Sequence, residues 1–226
     1  MADFFEYKQK DLTTFGNTVN QTFEAFVFAS IINWYQENGW RIRFEHPKNY
    51  GGKVRLKYST RGKPENYTYA VAVKGKKQIE IRHNIRIRSA HSDYESPVAS
   101  FVVDVGVLKV HSAENFSTYD SVENRNLITF SEAKHMSAFA ELIGGFIGIV
   151  HELLPKRLKR HKTPIGNPIH PHPFLFVSGF SNPSAKGVIA TILERGYRIS
   201  IIDRDSKDLY GLPLQEIPTK PASIRR

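Results

Sequence analysis

The spacing of apolar positions changes period along the chain, and each change predicts an element. Phe15, Val19, Phe23, Phe26, Ile31 and Trp34 recur at helical spacing, which predicts a helix over residues 16–38. Thr13 or Thr14 is placed to cap its start, and Gly39 to stop it. Asn17, Gln21 and Glu24 form a polar stripe along the same helix. Two β-rich segments follow, VRLKY and YTYAVAV, separated by the turn-like TRGKPEN. Residues 78–88 then alternate strictly. Ile79, Ile81, His83, Ile85 and Ile87 fall on one face, and Gln78, Glu80, Arg82, Asn84, Arg86 and Arg88 on the other. That pattern predicts a half-buried strand, or two joined by a bend, with a basic outer face.

Two more apolar strands are expected at ASFVVDVGVLKV (99–110) and NLITFSEAK (126–134). A helix is expected from after Lys134 to about Leu154, ended by Pro155; its Gly144, Gly145 and Gly148 lower helix propensity but would allow close packing on a sheet. A Pro- and His-rich loop leads to a strand at FLFVSGF, a helix at about 184–195 with Gly196 past its end, and a strand at YRISIID. This order predicts an α/β domain, a mixed β-sheet flanked by helices. One domain is expected over 1–202, with its core at about 15–202 and a Pro-rich basic tail at 203–226.

The length of 226 residues suits one self-sufficient core. There is no cysteine, which excludes disulfides, thiolate metal sites and cysteine nucleophiles together. The net charge of +10 favours polyanionic partners. It is unevenly spread. Residues 41–88 hold 14 basic and three acidic side chains, whereas residues 91–152 hold three basic and nine acidic ones. A second basic run follows at Lys156, Arg157, Lys159, Arg160 and Lys162. The most apolar stretch, 138–150, is too short to span a bilayer and contains Glu141, and the N-terminus has no signal-peptide pattern. A soluble, cytoplasmic chain with no membrane association is expected.

Charged residues inside apolar strands carry the chemistry, because an unpaired buried charge is costly. Asp104 interrupts FVVDVGVL, and Glu132 and Lys134 end ITFSEAK. Glu132 and Lys134 are two apart and share a strand face. If the two strands are neighbours, two carboxylates and an ammonium converge. Close carboxylates repel unless a cation lies between them. Mg²⁺ prefers oxygen ligands and is often held by one or two carboxylates, with water and substrate phosphate completing its shell. Such a group can support metal-assisted phosphodiester hydrolysis, with the lysine orienting or deprotonating the attacking water. A solvent-exposed strand end with a surface ion pair is the plain alternative for Glu132 and Lys134.

With Asp104 in VVDVG and Glu132-Ala133-Lys134 in FSEAKH, 28 positions apart, the sequence resembles the PD-(D/E)xK, or restriction-endonuclease-like, nucleases. Glu24 in NQTFEAF matches the helix glutamate that many members carry. The resemblance implies a restriction-endonuclease-like core over about 15–202. It also implies Mg²⁺, with Mn²⁺ as a substitute, bound by Asp104, Glu132 and the Ala133 carbonyl. Lys134 would act on the water, and Glu24 would serve as an outer-shell or second-metal group. The implied activity is that of a nuclease, an endonuclease acting on DNA, in restriction or antiphage defence, as a homodimer or a subunit of a defence complex. The sequence departs from the pattern at Val103, where proline is usual, and has no Gln-x-x-x-Tyr after the motif. A nucleic-acid-binding subunit that keeps the fold without activity is the alternative.

Arg82, Arg86 and Arg88 on one strand face, with Lys156, Arg157, Lys159 and Arg160, are the candidate phosphate contacts, which position nucleic acid without reading bases. Tyr67 and Tyr69 are either base-stacking platforms or ordinary strand aromatics. His91, Asp93 and Glu95 either add a metal or phosphate contact or form a polar loop. His170 and His172 resemble a metal pair only superficially, with no third ligand in view. The helix pair His151-Glu152 lacks the second histidine of a zinc-protease motif.

Overall fold

A computed structural model describes residues 2–47, 51–91, 99–114, 116, 120–160 and 169–206, with side chains from residue 18 onward. The chain is mixed α/β. Helix α1 (Ala2–Glu37) precedes strands β1 (Arg41–Glu45), β2 (Tyr69–Lys74), β3 (Lys77–Arg88), β4 (Ser100–Lys109) and β5 (Leu127–Lys134). Helix α2 (Ala140–Leu153), β6 (Phe174–Val177), α3 (Pro183–Glu194) and β7 (Ser200–Ile202) follow. The seven strands form one sheet in chain order. β1 to β5 are antiparallel neighbours. β5, β6 and β7 are parallel, as their α2 and α3 crossovers require.

Apolar layers cover both faces. Ile31, Trp34 and Tyr35 of α1 pack with Ile79, Ile81, Val105, Ala133 and Phe174 of the sheet. Against α2 and α3 pack Ile85, Ile87, Val103, Phe130, Leu175 and Ile201. The strict alternation of 78–88 therefore does not mark one buried face. Ile79 and Ile81 lie in the α1 layer, but Ile85 and Ile87 lie in the α2 layer. The change falls at Asn84, whose φ of 53° is left-handed. Asparagine tolerates that region better than the β-branched residues around it. The β3–β4 ladder skips one position there, between His83↔Val105 and Ile85↔Val103, where Asn84 stands opposite Asp104. We call this point the crease. Beyond it the β3–β4 arm reaches the end of α2, where the Ala90 amide donates to the Glu152 carbonyl at 2.7 Å.

Other expectations are corrected. The first helix runs from Ala2 to Glu37, so Thr13 and Thr14 lie within it and do not cap it. VRLKY forms no strand. Its Arg55 carbonyl accepts from the Thr68 amide, its Arg55 amide donates to Thr68 Oγ1, and Lys57 turns inward to the crease. Arg41–Glu45, not expected as a strand, forms the sheet edge. Gly144, Gly145 and Gly148 are exposed, and a Cβ at each would meet open space, so they do not serve sheet packing. The glycine that does is Gly106, where a Cβ would lie 2.5 Å from Ile85 Cγ2. Among the described residues no helix is long and apolar enough to cross a membrane. The tail from residue 207 lies outside the described residues, as do Asp93 and Glu95.

Candidate active site

β4 and β5 are adjacent, and their ladder begins at Val105↔Ser131. Toward the C-terminal end of β5 the next main-chain pairing is replaced by a side chain. The Ala133 amide donates to Asp104 Oδ2 at 2.7 Å. In a strand the N–H and C=O of one residue point to the same edge, so the Ala133 carbonyl also faces the Asp104 side. Lys134 Nζ lies 2.9 Å from Asp104 Oδ2 and 3.0 Å from Glu132 Oε2. The three charged side chains thus meet at one point, as the i, i+2 spacing on β5 and the adjacency of β4 require.

Their exposure is graded. The Glu132 side chain is 7% exposed, Asp104 13% and Lys134 37%. Burial pushes the Glu132 carboxyl up to about 8, and the negative charge of Asp104 pushes the same way, with Lys134 opposing. For Lys134, burial acts to lower the pKa, but the charges of Glu132 and Asp104 overturn it and hold the ammonium above its ordinary range. Among the described residues Glu132 Oε1 is buried with no donor to it, and the carboxyl shares a hydrogen bond with Asp104 only while protonated. A buried carboxylate oxygen left alone is costly. It is explained if a further group binds there, and an oxygen-seeking divalent cation fits two carboxylates and a carbonyl.

Glu24 comes from α1 to the crease, not to Lys134. Its Oε2 lies 3.4 Å from His83 Nε2 and 3.4 Å from Asn84 Nδ2. Lys57 closes the same pocket, donating to the carbonyls of Asn84 at 2.9 Å and Ser59 at 2.8 Å. Burial, then the Arg86 charge, lowers its pKa to about 8. His83 Nδ1 lies 2.7 Å from the Lys57 carbonyl oxygen. Lys57, His83 and Asn84 were not singled out from sequence. The available signal was two polar residues, His83 and Asn84, in the middle of an isoleucine-rich strand.

The candidate phosphate contacts separate. Arg82 is 4% exposed, its Nε donates to Glu80 Oε2 at 2.7 Å, and its guanidinium lies 3.7 Å above the Tyr69 ring. It is a buried ion pair and no part of an exposed basic face, because both faces of β3 are covered. Tyr69 is thereby occupied, and Arg55 lies over Tyr67 at 5.1 Å. Arg88 pairs with Glu123 at 3.2 Å, and Arg86 Nη1 lies 3.4 Å from Ser100 Oγ. Lys156 and Arg157 lie in the 3-10 turn Pro155–Leu158, with Lys159 and Arg160 just beyond. The Arg157 carbonyl accepts from the Arg198 amide at 2.8 Å, just before β7. That is the N-terminal end of the parallel strands, whereas Lys134 is at the C-terminal end of β5. The basic run and the carboxylate pair therefore lie at opposite ends of these strands. On the Lys134 end stands Arg204, exposed, 5.0 Å from the Phe180 ring and unforeseen from sequence. Exposed Arg61 and Lys63 lie on the loop that carries Lys57 to the crease.

His170 serves packing. Its Nδ1 is 3.0 Å from the Tyr35 hydroxyl, and its ring lies against Tyr35 and Trp40. Burial, then the Lys77 and Arg157 charges, lowers its pKa to about 4. His172 is buried. His91, by contrast, meets His151 and Glu152. No family model matches the sequence, no curated protein matches it, and no solved structure matches the fold.

Proposed function

We propose that the chain is a Mg²⁺-dependent nuclease of restriction-endonuclease-like architecture, hydrolysing phosphodiester bonds in DNA. The observation that carries this reading is the meeting of Asp104, Glu132 and Lys134 on adjacent strands, with Glu132 Oε1 buried and, among the described residues, without a donor. Asp104, Glu132 and the Ala133 carbonyl would hold Mg²⁺ or Mn²⁺. When bound, such an ion offsets charge on the phosphate and makes its water more acidic. Asp104 is fixed for this task by the Ala133 amide, so it does not have to be ordered on binding. Lys134 is charged and partly exposed, so its ammonium can sit beside both the attacking water and a phosphate oxygen. Glu24 acts one step removed, by holding His83 and Asn84 at the crease that sets Asp104. Arg204, Arg61 and Lys63 are the phosphate contacts on the exposed side, with Arg86 nearer the crease. A cytoplasmic homodimer or a subunit of a defence complex belongs to the same proposal.

The test is cleavage of plasmid and single-stranded DNA with Mg²⁺ or with EDTA, beside Glu132→Ala and Lys134→Ala. Mg²⁺-dependent cleavage lost in both variants is expected. Cleavage surviving both would overturn the site. Retained DNA binding without cleavage in every condition would turn the reading to a non-catalytic binding subunit.

A further inference from the structure

A second group of ligating side chains lies away from the carboxylate pair, where the tip of the β3–β4 arm meets the last turn of α2. The His91 and His151 rings stack with centroids 4.8 Å apart and planes 16° apart. His91 Nε2 lies 3.1 Å from the His151 carbonyl oxygen, and His151 Nδ1 lies 3.3 Å from Glu152 Oε1. One ligand atom each from His91, His151 and Glu152 fall within 4.8 Å of one another.

Four features suit this group to a metal. Two imidazoles and a carboxylate form a borderline donor set that favours Zn²⁺-like ions over Mg²⁺. Tetrahedral zinc bonds set donor atoms about 3.4 Å apart. His91 and His151 are exposed, so small side-chain rotations close the set. The carboxylate is held from behind, since Ser89 Oγ donates to Glu152 Oε2 at 2.7 Å and leaves Oε1 on the imidazole side. The position is also the C-terminal turn of α2, whose carbonyls favour a cation. The other such group among the described residues, Glu80, His111 and Glu114, is less free. Both Glu80 oxygens are taken, by Arg82 and the His111 amide.

We propose that His91, His151 and Glu152 bind a divalent transition ion of the zinc class, with water completing the shell, and that this ion fastens the β3–β4 arm to α2. The site is independent of the proposed nuclease reading. It stands at the far end of the arm from the crease, so its role is to hold the strand pair that carries Asp104.

The test uses full-length, untagged protein carrying Glu132→Gln, so that the carboxylate pair does not supply the signal. Thermal unfolding is followed in EDTA, in Mg²⁺ and in Zn²⁺, beside the same chain with His91→Ala and His151→Ala. Zinc at about a hundredfold excess over its dissociation constant is expected to raise the midpoint by roughly 5–10 °C. Mg²⁺ is expected to give no such rise, and the two histidine substitutions are expected to remove the zinc effect. In wild-type protein Co²⁺ should give visible absorption bands that vanish with the same substitutions. A zinc rise that persists without both histidines, or no zinc rise together with no cobalt bands, would overturn the proposal.

Discussion

Replacing Glu132 with glutamine should stabilise the metal-free protein increasingly as pH rises. An acid whose folded pKa is raised binds more protons folded than unfolded, so its stability contribution is present at low pH and lost as pH climbs. Here the window runs from the ordinary 4.5 to about 8. At 1.36 kcal/mol per pH unit, the stability lost because the folded state holds Glu132 protonated to higher pH is on the order of 2 kcal/mol at pH 6 and of 5 kcal/mol at pH 8.5. The interaction with Lys134 is already contained in that raised value and is not counted again. The variant should therefore gain on the order of 2–3 kcal/mol on wild type between pH 6 and pH 8.5. For a chain of this size the gain is roughly 5–10 °C in thermal midpoint. The assay is thermal unfolding of both proteins in EDTA at the two pH values. A difference that stays flat with pH would refute the account of Glu132 as a buried, reluctantly ionised carboxyl. Millimolar Mg²⁺ should then stabilise wild type and not the variant.

Three further outcomes are expected. His170 is held neutral in the fold, so stability should fall as pH drops from 6.5 toward about 4, by on the order of 1 kcal/mol between pH 7 and pH 5 once solvent screening at this partly exposed ring is allowed for; denaturant titration of His170→Gln should show a correspondingly shallower loss, and an equal slope would contradict it. Gly106→Ala drives a Cβ to 2.5 Å from Ile85 Cγ2 and should cost about 1–3 kcal/mol, read as a lower unfolding midpoint and partly relieved by Ile85→Ala in the double variant. Gly144→Ala, Gly145→Ala and Gly148→Ala enter open space on an α-helix and should each stabilise by about 0.5–1 kcal/mol; lowered midpoints would show that this face is covered.

Much of the candidate site was legible because its spacing is local. Glu132 and Lys134 share a face for the simple reason that they are two apart on a strand, and an acidic residue inside FVVDVGVL marks Asp104 as needing a partner. The helices on either side of FLFVSGF and the parallel strands they connect follow from periodicity and short crossovers. What periodicity did not reveal is where a strand changes layer. Ile79 to Ile87 read as one face, and a single left-handed asparagine divides them between two cores. For the same reason the alternation predicts an outward-facing Arg82, whereas the side chain is sealed against Glu80 and Tyr69.

The sequence by itself determined most of the helices and strands, though not the coil at VRLKY or the edge strand Arg41–Glu45, and which charges stand among apolar residues, since these depend on neighbours within a few positions. Only the tertiary structure decided which charges are buried, which meet, and at which end of the sheet. It brought His91 to His151 across 60 positions, sent Glu24 to the crease, and set the basic run at 156–160 apart from the carboxylates. Those relations depend on how β3 bends and how α2 crosses the sheet. They are long-range packing outcomes, which no local pattern encodes.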